Sequence, residues 1–73
     1  MQIKSGTTYW GYVGKTEVRR KVNIIETRNS GKQYVNWTQQ NMNGSTGQTR
    51  WTELVKFREW AKGVFEYGEQ ENL

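Results

Sequence analysis

Val18-Arg19-Arg20-Lys21-Val22-Asn23-Ile24-Ile25-Glu26-Thr27 (residues 18–27) is the longest run in the chain with the period of a β-strand. Its alternation places Val18, Val22 and Ile24 on one face and Arg19, Lys21 and Asn23 on the other, with Ile25 out of step. A two-residue period and β-branched content favour a half-buried strand over a helix. The apolar face of such a strand needs a cover, and the flanking segments supply candidates for it.

Before it, residues 1–6 form a polar lead-in with Ile3 as its one packing residue, and Thr7–Val13 reads as a short aromatic strand. There Tyr9, Gly11 and Val13 share one face, Trp10 and Tyr12 the other. A glycine among bulky neighbours points to a bulge, a sharp bend or close backbone approach. Residues 14–17 form a turn, and residues 29–32 a second one, with Gly31 free to take a positive φ. Gln33–Gln39 follows as a strand with Val35 and Trp37 inward and Tyr34, Asn36 and Thr38 outward. Asn43-Gly44 is a type I′ hairpin signal, and a fourth strand is expected over Thr46–Trp51.

From Thr52 the period becomes that of a helix. At about 100° per residue, Leu54, Phe57, Trp60, Ala61, Val64 and Phe65 gather in one stripe. Thr52 is the expected N-cap, with Glu53 in the first turn. Gly63 is a candidate stop, which would leave residues 64–67 extended or 3₁₀. The tail, residues 67–73, is polar and expected to fray. The stripe must pack on the sheet or plug one end of a barrel, with Trp60, Phe57 and Ala61 expected on Val22, Ile24, Val35 and Trp37. The reading is one domain over residues 1–73, α+β or mainly β: an SH3-like curved antiparallel sheet of three to five strands with one C-terminal amphipathic helix.

Such a short chain can bury only a small core, and hydrophobic residues make up only 33% of it. Four Trp, four Tyr and two Phe compensate, because each buried aromatic removes a large area from water. No apolar run approaches a membrane span, so the expectation is a soluble cytoplasmic protein.

Chemistry is constrained by omission. The chain has no His, no Cys and no Asp. Nucleophile–His arrangements, His-based metal sites and thiolate zinc sites are therefore unavailable, and no metal, cofactor or catalytic residue is assigned. Gly11-x-x-Gly14-Lys15-Thr16 echoes a phosphate loop, but that motif needs four residues before its Gly-Lys and a helix after it. Here a strand follows.

Charge is uneven. Residues 1–50 carry eight Lys and Arg against two Glu, and residues 51–73 carry three against five. The densest cluster is Arg19-Arg20-Lys21. Arg19 and Lys21 project together from the outer face, while Arg20 takes the inward register and is expected to snorkel out or pair with Glu17 or Glu53. With Lys32 on the neighbouring turn and Tyr34 or Trp10 as stacking surfaces, a cationic strand with aromatics is the physical recipe for backbone-led nucleic-acid binding. The candidate nucleic-acid residues are Arg19, Lys21, Lys32, Arg20 and Tyr34. Outward Arg and Lys also serve solubility alone, and a positive field equally attracts an acidic protein. Trp10, Tyr12 and Trp51 form the candidate aromatic patch for a protein partner. The polar segment 45–50 would leave a poorly protected edge that a homodimer could cover.

The succession G-T-T-Y-W-G-Y, R-R-K-V-N-I-I, Y-V-N-W and F-R-E-W-A-K resembles a broad set of small phage-encoded proteins. The matching positions are Tyr9, Arg20, Lys21, Val22, Ile24, Val35, Phe57, Trp60 and Ala61. The resemblance implies a curved sheet with a C-terminal Phe-x-x-Trp-Ala helix, a phage or prophage origin and an accessory role in the host cytoplasm. That role would be nucleic-acid handling or modulation of a host enzyme; no active residue transfers with it.

Overall fold

The computed structural model describes residues 1–66; the expected fraying of residues 67–73 lies outside them. Five strands, β1 (Thr8–Val13), β2 (Thr16–Thr27), β3 (Gln33–Gln40), β4 (Thr46–Glu53) and β5 (Gly63–Val64), surround one helix, α1 (Leu54–Trp60). They form a single antiparallel sheet in the order β4-β3-β2-β1-β5. A small α+β domain with a C-terminal helix is thus established, and the expected fourth strand is present, polar but for Trp51.

Turn chemistry sets the meander. Gly14 takes a positive φ as the first residue of a two-residue loop, as a type II′ hairpin requires. The β2–β3 and β3–β4 turns share another geometry. Gly31 donates its N–H to Arg28 O and Gly44 to Asn41 O, and both glycines have positive φ. This is a type I turn closed by a glycine bulge. Asn43 therefore does not adopt the type I′ conformation expected of Asn-Gly, because its own φ stays negative.

The core lies between one face of the sheet and α1. Tyr9, Val22, Val35, Trp37, Phe57 and Ala61 are buried together with Ile3, and Ile25, Leu54 and Trp60 pack against them. Tyr9 and Phe57 meet edge to face at 5.8 Å. The Tyr9 hydroxyl accepts a hydrogen bond from the Lys4 N–H at 2.8 Å, which anchors the lead-in that carries Ile3. Gly11 realises the close-approach alternative: a Cβ there would stand 2.5 Å from Trp60 Cε2 and 2.6 Å from the Trp60 carbonyl oxygen.

Ile24 departs from expectation. The β2–β3 register shifts between Val22 and Ile24, so Asn23 is the extra residue of a bulge. Beyond it the alternation inverts: Ile25 turns to the core and Ile24 is 52% exposed. Asn23 satisfies its own side chain across the outer face, donating to Asn36 Oδ1 and Thr38 Oγ1, both at 2.9 Å.

The helix also differs at both ends. Thr52 stays in β4, where its hydroxyl accepts the Trp37 Nε1–H at 2.8 Å, so Glu53 is the N-cap and makes no side-chain cap bond. At the other end Ala61 is extended, and the chain joins the open edge of β1. Lys62 donates its N–H to Trp10 O at 2.9 Å and Phe65 to Thr8 O at 2.8 Å. Val64 and Phe65 therefore leave the helical stripe for the sheet edge. A two-turn helix has little propagation energy to hold them against backbone pairing with a strand.

Candidate functional site: the open face of the sheet

Residues of β2 whose parity opposes Tyr9 and Val22 point away from α1, onto a face without a helical cover. The register aligns Trp10 with Arg19, Thr8 with Lys21, Arg19 with Gln40 and Lys21 with Thr38. Arg19 and Lys21 are thereby neighbours on that face, and both line one cleft of about 650 Å³. One wall is the lead-in at Gly6 and Thr7, held down because Gly6 N–H donates to Val22 O and Val22 N–H to Thr7 O. The other is the β3–β4 hairpin, with Gln40, Asn41 and Met42. Phe65 completes the lining.

The two cations differ. Arg19 lies over the Phe65 ring, 3.9 Å from its centroid, and reaches Glu17 at 4.0 Å; its Nε is buried without an acceptor. Lys21 is exposed, and among the described residues no carboxylate pairs with it. The cleft therefore holds one oriented guanidinium and one exposed ammonium, with amide groups of Gln40 and Asn41 beside them. This set can neutralise phosphates and offer hydrogen bonds, and it contains no nucleophile–base pair.

Lys32 and Tyr34 lie on the same face but beyond the Asn23 bulge, away from the cleft. Lys32 is 3.9 Å from Glu53. Tyr34 joins a separate cluster in which the Arg28 guanidinium lies 3.9 Å from the Tyr34 ring centroid and 5.0 Å from that of Trp51. Arg20 goes to the opposite face. It makes neither ion pair expected of it, because Glu17 and Glu53 engage Arg19 and Lys32, and it is stacked between Trp37 and Trp60 instead. Burial, and then the charge of Arg50, hold its pKa below the ordinary arginine value.

The aromatic patch is likewise divided. Trp10 and Tyr12 touch edge to face at 5.9 Å on β1, whereas Trp51, 43% exposed, stands on β4 at the far side of the sheet. Sequence reasoning missed Phe65, Gln40 and Asn41 at the cleft and Arg28 in the aromatic cluster. Gly63 as a stop already allowed Phe65 to be extended, but nothing in its spacing pointed to the cleft.

Comparison with family models, curated proteins and solved structures finds no match. Among the described residues no helix is long and apolar enough to cross a membrane.

Proposed function

We propose that this chain is a non-enzymatic binding module that takes nucleic acid on the open face of its sheet. The observation that carries the reading is the convergence of Arg19 and Lys21 in one cleft, with an aromatic ring holding the guanidinium. Phosphate neutralisation by such cations supplies sequence-independent affinity. A concave site walled by two loops suits a single strand better than a rigid duplex. The finer fold reading, an SH3-like curvature, belongs to the same proposal. Its support is the register shifts at Val22/Ile24 and Thr38/Gln40, since bulges bend and coil strands. With the phage resemblance, the role proposed is that of a phage or prophage accessory protein acting in the host cytoplasm.

A second reading, a modulator that binds a host protein, is favoured by the Arg28–Tyr34–Trp51 cluster, whose exposed indole and stacked arginine are residue types enriched at interface hot spots.

Binding of wild type and of the Arg19→Glu/Lys21→Glu variant to short DNA and RNA strands, at low and physiological salt, separates the two readings. The variant shifts net charge from +4 to zero. Its affinity is expected to fall at least tenfold, with a salt slope shallower by about 0.7 for each phosphate of the single strand that is no longer neutralised. Absence of wild-type binding at low salt would eliminate the nucleic-acid reading.

A further inference from the structure

Arg20 is the least explained cation of the molecule. Its guanidinium lies between two indoles, 4.1 Å from the Trp37 ring centroid and 4.2 Å from that of Trp60. Two indoles thus flank the group, and Nε is buried without an acceptor. What remains for hydrogen bonding is the in-plane edge formed by the two Nη atoms.

A second arginine stands beside it. Arg50 is the cross-strand partner of Trp37 and shares its face of the sheet. Its Nε donates to Gln48 Oε1, which orients the guanidinium and leaves its Nη edge unused. Gln39, the cross-strand partner of Arg20, adds a polar neighbour. Among the described residues no carboxylate pairs with either arginine. Two arginines on one face of the sheet, one partly desolvated and neither neutralised, make up a donor-only arrangement that an anion would relieve.

We infer that Arg20 and Arg50 form an anion site on the helix-bearing face, built for a phosphate monoester dianion. A guanidinium flanked by indoles is open to an oxyanion at its Nη edge, the bidentate geometry of Arg–phosphate recognition. Two fixed positive charges match a dianion better than a carboxylate or a phosphodiester, each of which carries one negative charge. Tetrahedral oxygens also allow one phosphate to engage two forks that are not coplanar. Inorganic phosphate and the terminal phosphate of a nucleic-acid strand share this chemistry. The site lies across the sheet from the Arg19–Lys21 cleft and does not depend on it.

The test follows the side-chain Nε–Hε signal of Arg20 by NMR, assigned with Arg20→Lys, during titration with inorganic phosphate and with acetate at matched ionic strength. A saturable shift with phosphate and none with acetate is expected. Arg50→Gln should weaken phosphate binding at least tenfold without lowering the melting midpoint, because Arg50 is exposed and its like charge opposes that of Arg20. Arg19→Glu/Lys21→Glu should leave phosphate binding intact even where it abolishes oligonucleotide binding, so the two proposals fail separately. Short oligonucleotides with and without a 5′-phosphate identify the source. A shift only with the phosphorylated strand or with free phosphate supports the site and says which ligand presents the group. No saturable shift, equal response to acetate, or indifference to Arg50→Gln would overturn it.

Discussion

Arg19 and Arg20 are adjacent and chemically identical, yet they occupy two different environments. Arg19 lies on the open face, over one aromatic ring and within reach of a carboxylate. Arg20 lies on the face that carries α1, between two indoles and beside a like charge. The difference comes from strand parity and from where a single short helix falls. Because α1 spans two turns, it covers the sheet around Tyr9, Val22, Val35 and Trp37 and leaves Arg20 at the margin of its footprint. The lesson is that on a small two-layer domain the boundary of the core, rather than its interior, is where cations acquire distinct chemistry.

The contrast between covered and open faces is most strongly tested in the core itself. Phe57 is fully buried and touches both Tyr9 and Trp60. Phe57→Ala should cost about 3–5 kcal/mol through lost transfer energy and the cavity left behind. Urea denaturation measures this directly, and a loss below about 1 kcal/mol would mean that α1 does not hold the covered face.

At the margin of the core the expected effect is smaller. Gly11→Ala forces a Cβ against the Trp60 indole and, less forgivingly, its carbonyl oxygen. Overpacking of this kind costs about 1–3 kcal/mol. Thermal melting should show a lower midpoint, and an unchanged one would show that the Trp60 end of the helix is free to move away.

The open face should yield the smallest change. Arg28→Gln removes a guanidinium stacked on Tyr34 and Trp51 and an ion pair to Glu26 of 3.4 Å. Exposed pairs and cation–π interactions of this type contribute about 0.2–1 kcal/mol each. A loss above about 2 kcal/mol in the same denaturation assay would show that this cluster is a second core rather than a surface feature.

Much of this architecture is legible in the sequence because local patterning acts at short range. Alternation in Gln33–Gln39 placed Val35 and Trp37 inward, that in Thr7–Val13 set Tyr9 on the face opposite Trp10 and Tyr12 without saying which face is the core, and Leu54, Phe57 and Trp60 repeat at helical spacing over one face. Parity also separated Arg19 and Lys21 from Arg20, which is the basis of both candidate sites. The residues themselves determine these features, since side-chain direction follows directly from the backbone period.

Tertiary structure decided the rest. The Asn23 bulge inverted the alternation and exchanged Ile24 for Ile25, because one inserted residue flips every side chain after it. The open edge of β1 drew Val64 out of the helical stripe and carried Phe65 to the cleft. Trp37 claimed the hydroxyl of Thr52 that would otherwise cap α1, and Trp37 and Trp60 closed over Arg20 in place of a carboxylate. Each outcome is a competition between a local preference of about 1 kcal/mol and a partner distant in the chain. Only the folded arrangement brings that partner within reach.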